Sequence, residues 1–180
     1  MSNKRRVFVS LHHRYSLSIR ENRQRLRHAA YHWAILICPK KPKGSDSHSF
    51  DVSDGIILHP TQKVDLNPEG NWFFRAEANA QPDDNPHLLG RVMIGKLPNE
   101  VSYENLHSLL EQIPLPEKGA EPVQNCVSWT RAAIRKLQEN GFAEQFDLDP
   151  FMDKALAFAD QRLHETTATS TSINYTTRRM

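Results

Sequence analysis

Cysteine is scarce in this chain: 180 residues hold two, Cys38 and Cys126, and no Cys-x-x-Cys pair. Two thiols cannot make the disulfide framework of a small secreted scaffold. Long apolar runs are missing too. The longest, roughly residues 29–38, falls far short of the ~20 residues that span a bilayer. No apolar h-region precedes a small-residue cleavage site. The ending Thr177-Arg178-Arg179-Met180 carries no lipidation signal. Together these absences predict free thiols in a reducing, cytoplasmic setting and no membrane span. Neither G-x-G-x-x-G nor a P-loop occurs, so nothing supports nucleotide binding. There are nine histidines, but no H-E-x-x-H and no Cys/His cluster. The adjacent pair His12-His13 would point to opposite faces of a strand. No metal and no organic cofactor is implied.

What is present is polar and balanced. Hydrophobic residues make up 38%, charged residues 24%, and mean hydropathy is −0.62. That is a soluble globular composition. It excludes a membrane channel, a collagen and a disulfide-stapled mini-protein. The length fits a single domain over 1–165 with a basic N-terminal segment, followed by a Thr/Ser-rich, disordered tail at 166–180. The net charge of +2 hides an asymmetry. Residues 1–30 contain eight Lys and Arg against Glu21 alone, or +7, which leaves −5 for the remainder. The plain reading of the basic end is a solvated, partly mobile leader. No aromatic residue interleaves with Arg20 to Arg27, so the base-stacking platform of a nucleic-acid binder is missing.

Strand-like segments come first. Arg6–His12, Tyr31–Cys38, Asn71–Ala78 and Leu88–Ile94 read as strands, and His48–Val52 as the return of a hairpin. A short strand at Ile56–Leu58 is a weaker expectation. Helical spacing comes later. Leu106, Leu109, Leu110 and Ile113 follow a polar start at Ser102. Val127, Thr130, Ile134 and Leu137 mark a helix over about 124–140, stopped by Gly141. Asp149-Pro150 offers a cap for a third helix through Phe151, Ala155, Phe158 and Leu163. Strands before 95 and helices after 100 argue an α+β fold with a mainly antiparallel sheet packed on helices.

The chemistry gathers at two points. Cys126 falls at the start of the 124–140 helix, where unpaired N–H groups and the macrodipole favour an anion. A thiolate is the nucleophile of cysteine chemistry, and such a position promotes it. Gln124, Asn125 and the Cys126 backbone N–H could hold a developing oxyanion. Trp129, three residues on, could wall the site. The plainer reading of a lone cysteine is a small buried hydrophobe. His32 sits in the most apolar strand. Facing a helix-start cysteine, it would complete a thiolate–imidazolium pair. Asp51 on the returning strand is a candidate orienter of His32, with His48, Asp54 and His59 as rivals.

The blocks Tyr31-His32-Trp33-Ala34-Ile35 and Asn125-Cys126-Val127-Ser128-Trp129 resemble the two signature blocks of the permuted papain-like fold. Lecithin:retinol-acyltransferase-like and NlpC/P60-related proteins have this fold. In permuted members a His-Trp-Ala-type strand precedes a helix-start Cys. The chain also resembles, more closely, small fungal proteins of this type, and Ile113-Pro114-Leu115-Pro116 fits their outline. The resemblance implies Cys126 as nucleophile, His32 as general base and Asp51 as third member. It implies a thiol-dependent acyl-transfer enzyme, hydrolase or acyltransferase, on a small-molecule or peptide ester, thioester or amide. Hydrolysis, transfer and cyclisation would use the same groups. A catalytically silent papain-like module that engages a protein partner is the rival from another class. Oligomeric state is left open.

Overall fold

The computed structural model describes residues 4–44, 46–165 and 171–180. β1 (Arg5–His13) is apolar on both faces, with Val7, Val9 and Leu11 turned one way and Phe8 the other, and it runs through the middle of a sheet. β2 (Tyr31–Pro39) is its antiparallel neighbour and is buried nearly throughout. β3 (Ser47–Ser53) returns beside β2, β4 (Phe73–Ala80) pairs beyond it, and β5 (Leu88–Lys96) flanks β1 on its other side. The strand order is β4-β3-β2-β1-β5, and every one of these pairs is antiparallel. A sixth strand, β6 (Ser172–Asn174), joins β5 in parallel and makes the sheet mixed.

Four helices complete an α+β fold. α1 (Arg20–Leu26) is short; α2 (Tyr103–Glu111), α3 (Cys126–Glu139) and α4 (Leu148–His164) follow the antiparallel strands. Apolar positions on one sheet face (Val9, Trp33, Ile35, Phe50, Val92) bury against Leu106, Ala133, Ile134 and Phe151 of the helices. Each such side chain contributes roughly 1.5–3 kcal/mol. Phe8, Leu36, Cys38 and Met93 form a smaller cluster on the opposite face, with the Arg91 guanidinium 5.5 Å over the Phe8 ring. No described helix is long and apolar enough to cross a membrane.

Several elements differ from the sequence reading. The basic N-terminal segment is not a loose leader: it supplies β1 and α1. Arg23 Nε and Nη2 grip the Asp160 carboxylate at 2.6 and 2.5 Å, and the Tyr31 hydroxyl donates to the same group at 2.6 Å. Charge there is spent on anchoring the segment to α4. Residues 171–180 of the expected tail are placed, because Ser172–Asn174 finds the free edge of β5 and Tyr175 packs on Phe146 and Phe151. Residues 166–170 of that tail lie outside the described residues. The cap of α4 is Asp147, whose side chain accepts from Asp149 N, so Pro150 sits inside the first turn, where its missing N–H costs nothing. The expected strand at Ile56–Leu58 is reduced to a single bridge, Leu58 to Asp65.

Candidate active site

The ladder between β2 and β3 covers only Ile35–Ile37 and His48–Phe50. Beyond it the strands part, and His32 and Asp51 stand at that opening. His32 Nε2 donates to Asp51 Oδ2 at 2.9 Å. Asp51 is also the register partner of Arg75 on β4. Arg75 closes a bidentate pair, with Nε 2.7 Å from Oδ1 and Nη2 2.8 Å from Oδ2. The carboxylate is thus held from both sides, and its own side chain is only 10% exposed.

The amino end of α3 comes against the same opening. Asn125 caps the helix: its Oδ1 accepts from Val127 N at 2.8 Å, and Ser128 Oγ accepts from Asn125 N at 2.9 Å. This capping box sets the helix start at Cys126. The buried Cys126 side chain lies close enough to His32 and to Arg75 to bear on the charge of both. Nε2 of the imidazole belongs to Asp51, so the nitrogen left for the thiol is Nδ1. His32, Asp51 and Arg75 form one connected chain of groups, with Cys126 beside it.

The charges follow from that chain. Burial works against an imidazolium at His32, but the bonds and charges of Asp51 and Cys126 together outweigh it, and the pKa rises to about 9. Burial alone would raise the Asp51 pKa, yet His32 and Arg75 pull it down to about 2. Asp51 supports Arg75 in return and raises its pKa. His12, the register partner of His32 on β1, behaves oppositely. Burial first, then the neighbouring His32 charge, lower its pKa to about 4, so His12 is neutral at pH 7.

These shifts set a stability profile. The raised pKa of His32 stabilises the fold fully below about 6.5, and that contribution disappears as pH climbs through about 9. The depressed pKa of Asp51 stabilises above about 3.8 and is lost as pH falls toward about 2. In urea unfolding, the gap in stability between wild type and His32→Gln is therefore expected to be widest near pH 5 to 6. It should shrink by roughly 3 kcal/mol on going to pH 10. A gap that does not change with pH would remove the ion-pair account.

A cleft of about 770 Å³ opens over the His32–Asp51–Arg75 part of the site, with His12, Tyr15 and Phe74 also among its walls; Cys126 lies buried behind it and does not line it. The expected residues are not all where the sequence reading placed them. Asp51 meets His32, whereas the rivals do not: His48 packs its ring on Tyr103 at 4.6 Å, His59 Nδ1 accepts from Gln62 N at 3.1 Å, and Asp54 lies in the loop after β3. Asn125 serves the helix cap. Gln124 Oε1 accepts from Glu117 N at 3.0 Å. Trp129 is 2% exposed and backs Phe74 at 5.9 Å, so it belongs to the core behind the cleft and not to its wall. Cys38 is packed away, its thiol pKa raised chiefly by burial. Arg75 and His12 were not singled out from the sequence. Both sit on segments read as strands, but their pairing with Asp51 and His32 depends on register, which one sequence does not provide.

No curated protein and no solved structure matches this sequence. A family model does match, over residues 4–174, a span that contains every residue of the site. The chain belongs to DUF6914, a family of unknown function.

Proposed function

We propose that this chain is a thiol-dependent acyl-transfer enzyme with a permuted papain-like fold. One observation carries the reading: a strand histidine is hydrogen-bonded to a buried carboxylate, His32 to Asp51, and a helix-start cysteine, Cys126, lies near the same imidazole. That arrangement is what nucleophile activation requires. His32 rests as the imidazolium, its Nδ1 holding the proton given up by Cys126 Sγ, while Asp51 holds Nε2. The thiolate adds to an ester, thioester or amide carbonyl. The Cys126 backbone N–H lies outside the capping box and serves the oxyanion, with the Gln124 amide N–H₂ as second donor. Asn125 is committed to the cap. His32 then protonates the leaving group, and a nucleophile resolves the acyl-enzyme. Arg75 keeps Asp51 ionised and fixed.

The burial of Cys126, 2% exposed, favours one rival: a silent papain-like module that binds a protein partner. Thiol chemistry separates the two. Both cysteines are buried, so Cys38 is an internal control for access. With iodoacetamide at pH 7, followed by peptide mass spectrometry, Cys126 is expected to react about a hundredfold faster than Cys38. His32→Ala should abolish that advantage. Equal reactivity of the two thiols, with or without His32, would sink the enzyme reading and leave the binding module.

A further inference from the structure

β4 ends the sheet on one side, and its outer edge is bare. Among the described residues, the backbone of Phe73–Ala80 pairs with β3 and with no other segment. Proteins usually blunt such an edge with proline, lysine, a bulge or a covering segment. Residues 73–78 contain neither proline nor lysine, and they pair regularly with β3 from Ser53↔Phe73 to His48↔Ala78. The bulge comes only afterwards, at Asn79, whose φ is 61°. A strand of ordinary length is thus left open along one side.

The side chains of this edge are complementary to a second copy of themselves. Arg75 and Glu77 lie on one face of the strand, and Phe74, Ala76 and Ala78 on the other. A twofold axis at Ala76 runs two β4 edges antiparallel. Arg75 then stands opposite Glu77 of the second copy, and Glu77 opposite Arg75 of the second copy. On the other face Phe74 stands opposite Ala78, so a ring meets a small side chain on both sides of the axis. Ala78 is exposed and Phe74 half-buried, so both have apolar surface left to cover. Each of these pairs joins residues of equal parity. That is the condition for two free edges to bond in register, because outward N–H and C=O groups recur at every second residue. The charges are also available. Glu77 is exposed and makes no hydrogen bond or close ion pair among the described residues. Arg75 gives Nε and Nη2 to Asp51 and keeps Nη1 without a described acceptor.

We propose that the chain forms a twofold dimer through β4, which joins the two sheets edge to edge and sets Glu77 of the second copy beside Arg75. The contact is isologous and closes on itself. Arg75 and Glu77 both line the cleft, so each copy would supply part of the other's cleft rim. The dimer does not depend on the chemistry of Cys126 and holds for an enzyme or a binding module alike.

Sedimentation velocity of the full chain, from about 1 to 300 μM, should show a monomer converting to a dimer. Glu77→Gln removes both charge pairs and should weaken the dimer roughly twofold to thirtyfold. Glu77→Arg sets like charges opposite each other on both sides of the axis and should leave a monomer. Circular dichroism checks that each variant is folded. Cross-linking tests the register separately and decides the matter if Glu77→Arg does not fold. Ala76→Cys lies on the axis and should form an interchain disulfide under mild oxidation. Ala78→Cys, displaced about 13 Å along the strand from its counterpart, should not. Cys38 and Cys126 are buried, so the wild-type chain gives the background. A chain that stays monomeric throughout, with no cross-link through position 76, would overturn the proposal and leave the edge to an extended peptide of another protein. A dimer indifferent to Glu77→Arg, or one cross-linked through position 78 in preference to 76, would overturn it as well.

Discussion

Replacing Asp51 with alanine is expected to destabilise the protein by about 3 kcal/mol near pH 6, since it strips a buried carboxylate from two cations at once. The two partners respond differently. Arg75 has a side chain 50% exposed and can turn to water. His32 is 21% exposed, and without the carboxylate burial weighs against its charge. His32 should therefore shed its proton, and its pKa should fall well below about 9. The loss of stability is then largest below about pH 6.5, where the wild-type imidazolium contributes fully, and smaller above about 9, where the wild type has lost that contribution too. Urea unfolding at pH 6 and pH 10 measures the first part, and an NMR titration of the His32 ring measures the second. Asp51→Asn keeps an acceptor for one partner and should cost less. A change under about 0.5 kcal/mol for Asp51→Ala, typical of an exposed pair, would mean that the carboxylate does not brace the site.

The second large effect is steric. A Cβ built on Gly95 of β5 would run into the carbonyl oxygen of Phe142 and come within 2.7 Å of Ala143 Cα. Both are backbone atoms, so no rotamer change can yield. The contact is close because the chain after α3 lies along β5, with Glu144 N donating to Ile94 O at 2.9 Å. Gly95→Ala must push that segment outward, and a cost of about 3 kcal/mol is expected. Gly90 offers the contrast on the same strand. The atoms nearest its added Cβ all belong to the Phe158 ring, and a ring can swing aside. The order of destabilisation by urea unfolding should be Gly95→Ala greater than Gly90→Ala. The reverse order, or two neutral substitutions, would show that β5 and the post-α3 segment are not held in this close approach.

Much of the framework was legible from local pattern. The β-branched and aromatic residues of Arg6–His12 and the apolar run Tyr31–Cys38 marked β1 and β2 to within a residue or two. The 3.6-residue spacing of Val127, Thr130, Ile134 and Leu137 marked α3, and its start at Cys126 follows from Asn125 and Ser128 alone. Local signals failed where a distant partner decided the outcome. Nothing near Arg23 announces Asp160, and nothing in Ser172–Asn174 announces the edge of β5. The pull of these partners turned a basic leader and a polar tail into placed structure.

The site divides along the same line. Residue type and helix position make Cys126 a nucleophile candidate, because a helix start is a property of a few neighbouring residues, and the resemblance carried by the two blocks gives His32 as its partner. The hairpin reading and the resemblance favour Asp51 as the orienter, and the fold brings it, and not His48, Asp54 or His59, to His32. The brace from Arg75 and the second imidazole at His12 came only from the fold. Each of those depends on strand register and on where the β2–β3 ladder ends. A one-residue slip would send every one of these side chains to the other face of the sheet. Register is settled by the packing of the whole sheet against its helices, so it is written in the tertiary structure and not in any single segment of the sequence.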